Sequence, residues 1–215
     1  MKYDKYSFIF PPRVEVPTPY ETLSQQDRYL GYCAQPKLNG DCMLIYTNGV
    51  ETIIKHRDGE DFKKVIKMKD KLSVLHQGQG WMCLVGEHMI KNKKGCDGKP
   101  FNEKFVIHDI LVYNGVHLLG QTFMQRIQLL DELFGTTRLI NDPWLYSTEY
   151  EDVFRVRTFF DSNEFLNLFL EIIKVDMYEG FVLKKLNAEL LPGRREKNNE
   201  TSLAKIRKPT KMYNF

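Results

Sequence analysis

Between Tyr32 and Lys55 the apolar and polar positions fall into short β-like runs, broken at Asn39-Gly40 and Asn48-Gly49. Asn-Gly readily takes up the left-handed backbone of a tight turn, so both breaks predict hairpins. Phe62, Val65, Ile66, Leu72 and Leu75 then recur at helical spacing and predict a helix over about 61–76. Trp81–Ile90 and Lys104–Tyr113 return to strand-like patterns, with the basic loop Lys91-Asn92-Lys93-Lys94-Gly95 between them. Two helices announce themselves by their starts. Thr122 with Gln125 makes a capping box ahead of Ile127, Leu130, Leu133 and Phe134, and Asp161 with Glu164 stands ahead of Phe165, Leu168, Phe169, Ile172 and Ile173. Gly180–Leu186 and Ser202–Lys208 read as strands around a polar loop. Ser24–Leu30 predicts a short helix capped by Ser24. Residues 1–22, with Pro11-Pro12, Pro17 and Pro19, predict an extended arm. With no internal repeat and no linker, the expectation is an arm over 1–22 and one α+β domain over 23–215, built on antiparallel sheets flanked by helices.

Composition narrows the class. A chain of 215 residues, 42% hydrophobic and 13% aromatic, can bury a core without disulfides or a structural metal. A net charge of +3 excludes a histone-like basic protein but leaves room for a local phosphate-binding patch. No apolar run approaches the roughly 18 residues of a membrane span, and the first residues do not open a signal peptide. The expectation is therefore a protein that is not secreted and has no membrane partner, working in the cytoplasm, a nucleoid or a viral replication compartment. Cys33, Cys42, Cys83 and Cys96 never form C-x-x-C, so spacing signals neither a zinc site nor a disulfide framework.

Several short segments could carry chemistry. Lys37-Leu38-Asn39-Gly40 sets a lysine on a strand beside a turn. An amine of ordinary pKa, about 10.4, must first become neutral to attack phosphorus. His56-Arg57-Asp58-Gly59 is a turn whose arginine can grip a phosphate with two hydrogen bonds. Glu87 interrupts an apolar strand, where a carboxylate must be paired or hydrogen-bonded. In Phe105–Ile110, strict alternation puts His108 on the face opposite Phe105, Ile107 and Asp109. Glu179 and Lys184 are five residues apart, so they point to opposite faces unless a bulge intervenes. Lys205 and Arg207 share one face of the last strand, an arrangement that suits a polyphosphate. Each segment alone also fits an ordinary solvated turn or a structural ion pair.

Taken in order, Lys37–Gly40, Arg57, Glu87, Phe105–Asp109, Glu179–Lys184 and Lys205–Arg207 resemble the ordered motifs of the covalent nucleotidyltransferases, the superfamily of ATP-dependent DNA ligases, RNA ligases and mRNA capping enzymes. The resemblance runs from about residue 30 to 208. It implies that Lys37 is the nucleophile of a lysyl-AMP intermediate, with Lys184, Lys205 and Arg207 as the cations of the reaction. Gln35, Arg57, Glu87, His108 and Phe105 would bind the nucleotide, Glu87 at the ribose and His108 where the family usually stacks a phenylalanine on the base. Glu179 would hold Mg²⁺, and Lys91, Lys93, Lys94, Arg194 and Arg195 would meet nucleic acid.

Pro36, the Arg-Asp-Gly turn, Tyr113-Asn114-Gly115 and Pro192-Gly193-Arg194-Arg195 look most like an ATP-dependent DNA ligase that seals nicks in repair or replication. RNA ligase is the alternative, followed by a GTP-using capping enzyme. A nucleotide-binding module without catalysis is the non-enzyme reading. The departures are Asn39 for the usual aspartate, Cys42 where many DNA ligases carry arginine, and Arg207 for a second lysine. The family usually continues into an OB domain, and none fits after Lys208. The expectation is therefore either the catalytic core of a longer protein or a naturally minimal enzyme, with a separate OB domain or partner protein as a candidate partner.

Overall fold

The computed structural model describes residues 1–14, 16–62, 72–90, 92–139, 141–193 and 201–209. Among the described residues twelve strands alternate with few helices: β1 (Pro17–Thr18), β2 (Tyr32–Leu38), β3 (Asp41–Thr47), β4 (Thr52–His56), β5 (Met82–Met89), β6 (Lys104–Tyr113), β7 (Val116–His117), β8 (Arg138–Leu139), β9 (Asp142–Ser147), β10 (Val153–Val156), β11 (Tyr178–Lys185) and β12 (Leu203–Arg207). They make two sheets. The smaller runs β1-β12-β11-β2; the larger runs β4-β3-β5-β6-β10-β9-β8, with β7 on β6. Pairing is antiparallel except for β1 with β12 and β10 with β6. This is the expected α+β class.

The apolar core falls into two clusters, and the second, which takes in Met89, Val106 and Val156 of the larger sheet, packs the two sheets together. Met43, Ile45, Leu84, Phe105, Ile107 and Ile110 form the centre of one cluster, which the arm joins through Tyr3 and Ile9. Ala34, Leu38, Phe181, Leu183 and Ile206 form a second with Phe165, Phe169 and Ile172. The helix α1 (Phe123–Phe134) begins in the expected capping box. Thr122 Oγ1 accepts from the Gln125 N–H, and the Gln125 side chain accepts from the Thr122 N–H. The helix α2 (Phe165–Ile172) follows a 3₁₀ turn at Ser162–Glu164, with Asp161 accepting from the Asn163 N–H. No helix among the described residues is long and apolar enough to cross a membrane.

Two expectations change. Ser24 caps no helix: Tyr20–Ser24 and Gln26–Tyr29 are 3₁₀ turns, and the Ser24 hydroxyl donates back to the Glu21 carbonyl. Leu23 and Tyr29, six residues apart, are both buried, which is two turns at three residues per turn. Asn48-Gly49 does close a hairpin, with Thr47 opposite Thr52. Asn39-Gly40 does not: β2 and β3 lie in different sheets, so this turn carries the chain from one sheet to the other. The Asn39 N–H donates to the Met177 carbonyl, and a side chain on Gly40 would collide with the His88 carbonyl and with Glu87. Most of the helix expected over 61–76 lies outside the described residues, though Leu72 and Leu75 are buried in the first cluster.

Candidate active site

The smaller sheet presents one face to a cleft of about 540 Å³ that the larger sheet closes from the other side. Register decides what that face carries. Lys37 sits opposite Gly180 and Gly180 opposite Arg207; Gln35 sits opposite Val182 and Val182 opposite Lys205. With a period of two, Gln35, Lys37, Val182, Lys184, Lys205 and Arg207 therefore share the cleft face, while Phe181 and Ile206 turn into the core. Glu179 would point away from Lys184 in a regular strand. The pairing of β11 with β2 steps between Tyr178 and Gly180, and this bulge turns Glu179 into the cleft as well. Gly180 makes it possible, with φ of 135° and with the Ile206 carbonyl where a Cβ would stand.

The result is a compact charge cluster. Glu179 Oε2 accepts from Lys37 Nζ and, at 2.7 Å, from Arg207 Nη2. Burial alone would raise the Glu179 carboxyl, but Lys37 and Arg207 outweigh it and hold it below its ordinary value. Lys205 Nζ donates to the Val14 carbonyl of the arm at 2.7 Å. Its pKa falls to about 8, first through burial and then through repulsion from Lys37, Arg207 and Arg57. A cationic wall with one carboxylate in it suits the phosphates of a nucleotide.

The opposite wall comes from β3, β5 and β6. Cys42 pairs directly with Glu87, so both point the same way. Between Val85 and Gly86, β6 advances by two residues, and the extra one is His108. This second bulge breaks the expected alternation: His108 and Asp109 both line the cleft. Gly86 leaves the space that the Phe105 ring occupies. Phe105 is thus fully buried core and does not line the cleft, which corrects its expected place beside the nucleotide.

Burial and then Lys184 push the His108 imidazole down to about 3, so the ring is neutral. Burial pushes Glu87 up to about 7, against Lys37 and the Gly40 N–H that donates to its Oε1 at 3.2 Å. Asp109 accepts from Arg126 Nε at 2.9 Å and Nη2 at 3.1 Å, and Lys184 Nζ lies 3.9 Å from its Oδ2. Lys184 also sits 4.2 Å from the centre of the Phe123 ring, and its pKa is lowered, chiefly by burial.

Arg57 reaches the rim of the cleft from the turn after β4. Gln35 is 3% exposed; its Nε2 donates to Thr158 at 3.2 Å, and its amide oxygen has no hydrogen-bond partner among the described residues. Lys93 and Lys94 lie outside the cleft lining. Lys93 pairs with Asp176 at 2.9 Å, and the Lys94 carbonyl accepts from the Met177 N–H, so their loop is tied to the residues just before Glu179. Lys91, Arg194 and Arg195 lie outside the described residues. Sequence reasoning missed Asp109 and Arg126 as a pair, and gave no role to Thr158 or to the arm over Lys205. These contacts link segments far apart in the chain and leave no local pattern.

The ATP dependent DNA ligase domain family matches residues 21–200. The chain belongs to that family. No curated protein matches this ligase domain. Among solved structures, a mycobacterial DNA ligase D complexed with ATP and MES is 19% identical with a TM-score of 0.54, over 82% of this chain and 54% of that one. The ligase domain of M. tuberculosis LigD is 20% identical with a TM-score of 0.53, over 82% and 53%. A structure of the Lig E DNA ligases is 15% identical with a TM-score of 0.55, over 92% and 69%. At these identities the likeness is one of fold. This ligase domain spans about half the length of the two DNA ligase D chains.

Proposed function

We propose that this ligase domain takes AMP from ATP onto Lys37 and passes it to the 5′-phosphate at a nick in DNA, so that the strand can be sealed. The observation that carries the reading is the convergence of Lys37, Glu179, Arg207 and Lys205 on one face of the smaller sheet. In the first step Lys37 Nζ, having lost its proton, attacks the α-phosphorus. The bond to the β-phosphate oxygen breaks, pyrophosphate leaves with that electron pair, and a phosphoramidate remains. Lys205 and Arg207 stand where charge accumulates on the transferring phosphate. In the second step the 5′-phosphate displaces the lysine amine and takes up the AMP. The 3′-hydroxyl at the nick then attacks that activated phosphate and AMP leaves.

The donor set suits Mg²⁺, which takes oxygen ligands and commonly binds through one or two carboxylates plus substrate phosphates. Glu179 is the cleft carboxylate beside the cations, and it would hold the ion. Bound there, Mg²⁺ supplies neutralisation of phosphate charge. The base would lie against the neutral His108 ring and the sugar at Glu87. The free Gln35 oxygen favours adenine, whose exocyclic amine donates where guanine offers a carbonyl oxygen. For DNA contact, the Lys93–Lys94 loop stands next to Glu179, and Arg194 and Arg195 are the further candidates. An OB domain or partner protein that closes over the nick fits this reading.

Intact mass measured after incubation with Mg²⁺ and each nucleoside triphosphate tests it. One AMP should be gained from ATP, none from GTP, and none by Lys37→Ala. An adduct that persists in Lys37→Ala, or a GMP adduct in preference to AMP, would overturn the reading. Sealing of nicked RNA in preference to nicked DNA would move the protein to the RNA ligase alternative.

A further inference from the structure

Cys42, Glu87 and His108 come from three neighbouring strands, yet their Sγ, carboxylate and ring nitrogen atoms all lie within 4.8 Å of one another. Two features of the sheet bring them together. Cys42 and Glu87 are direct cross-strand partners, and the bulge in β6 delivers His108 to the same side. We propose that these three side chains form a metal site for Zn²⁺ or an ion of similar softness, and that a filled site excludes the nucleotide.

The ligand chemistry selects the ion. Thiolate, imidazole and carboxylate together are a borderline-soft set that suits Zn²⁺, whereas Mg²⁺ requires oxygen. At zinc bond lengths of about 2.0–2.3 Å, tetrahedral ligand atoms stand roughly 3.3–3.8 Å apart, so closing the cluster takes movements of about an ångström. All three residues are only partly buried, which leaves a route in and a fourth position for water. The Gly40 N–H already steadies the Glu87 carboxylate, the kind of outer support that metal ligands receive. As the Zn–S bond forms, the thiol proton passes to solvent. No C-x-x-C spacing could signal this site, because β-pairing and not local sequence assembles it.

The exclusion follows from overlap, and it rests on the reading of the cleft given above. An ion bonded to Glu87 and His108 takes the groups that would hold the sugar and the base. The predicted result is competition between Zn²⁺ and ATP at constant Mg²⁺.

Co²⁺ provides a direct test, because its bonds to sulfur give a charge-transfer band. The experiment uses the full chain with Cys96→Ser, which removes the exposed thiol. Co²⁺ should give that band at one equivalent, Zn²⁺ should remove it, and Cys42→Ser should lack it. Absence of the band in the parent, or its survival in Cys42→Ser, overturns the site. For the competition, each protein's adenylation rate is compared with itself with and without Zn²⁺. The parent should lose more than tenfold, reversed by excess ATP, and Cys42→Ser should lose less than twofold. Equal inhibition of both overturns the exclusion. Circular dichroism and Glu87→Gln, which should weaken Co²⁺ binding at least tenfold, guard against a variant that misfolds. If no protein is adenylated under any condition, the proposed activity fails while the Co²⁺ spectrum still decides the metal site.

Discussion

Replacing Asp109 with asparagine isolates the electrostatics under the cleft. One carboxylate there serves two cations: Arg126 through two hydrogen bonds and Lys184 at 3.9 Å. The Arg126 and Lys184 side chains are 4% and 10% exposed, so water cannot replace what Asp109 supplies. The asparagine has the same shape and keeps one acceptor, and Arg126 keeps its bond to the Gln121 carbonyl at 2.9 Å. What changes is the charge, and two buried cations are left without their counter-ion. Breaking a buried pair in this way costs about 3–5 kcal/mol, and the retained bonds put this case near about 3. At roughly 2–4 °C per kcal/mol for a chain of this size, the melting point should fall by about 6–12 °C.

Urea unfolding at pH 7 is the assay, read at unchanged slope, and high salt should restore little because the pair is buried. Acid gives the sign check. Burial alone would raise the Asp109 carboxyl, but Arg126 and Lys184 hold it at about 2. Its stabilisation is therefore present above the ordinary carboxylate range near 3.8 and is lost as pH falls towards 2. The difference between wild type and Asp109→Asn should narrow on going from pH 5 to pH 3. A loss under about 1 kcal/mol at pH 7, or a difference that does not change with acid, would refute the argument.

Two further outcomes follow from the bulges and the walls. Gly180→Ala should cost about 1–3 kcal/mol, because an ordinary side chain resists φ of 135° and meets the Ile206 carbonyl. By moving Glu179 and Arg207 it should also slow adenylation at least tenfold, and wild-type rates in a correctly folded variant would show that the bulge does not set the site. For Glu87, burial holds the proton up to about pH 7, so ATP affinity should rise between pH 6 and 8 and stay flat in Glu87→Gln, as read by calorimetric titration. Stability runs the other way. The Glu87 contribution to folding is full below its unfolded value near 4.5 and is lost as pH rises through about 7, so Glu87→Gln should flatten that slope in urea midpoints.

Local chemistry was legible in the sequence, and long-range pairing was not. Thr122 and Gln125 mark the start of α1 because a capping box is complete within four residues. Asn48-Gly49 marks a hairpin because both of its strands flank it. Asn39-Gly40 carries the same local signal, but β2 pairs with β11 and β3 with β5, so the turn joins two sheets instead. The six cleft motifs were readable by order, and alternation put Lys205 and Arg207 on one face as found. Alternation held for His108 against Phe105 and Ile107 but failed at Asp109, because an extra residue in β6 resets the faces. The bulge at Glu179 was foreseen only as a condition for its sharing a face with Lys184. Strands β8 to β10 escaped notice because they are short and β10 buries a charge: Arg155 is 2% exposed, paired with Asp131 across 24 residues.

The pairing of β1 with β12 sets an order of events during synthesis. Pro17 lies beside Lys205 and Thr18 beside Ile206, so a strand made early waits for one made late. Lys37 can pair with Gly180 once β11 has emerged, but its partner carboxylate gains Arg207 only when β12 joins β11. At about 5–20 residues per second, the interval between residue 37 and residue 207 is on the order of ten to thirty seconds. Only the last part of that interval, the roughly twenty residues and about one to four seconds between β11 and β12, leaves β11 with an open edge on the side β12 will fill, an invitation to pair with other chains. A ribosome-bound chain halted before Leu203 should therefore carry the nucleophile and most of the cleft yet remain unable to accept AMP. The charge cluster of the smaller sheet cannot be complete before β12 has been made.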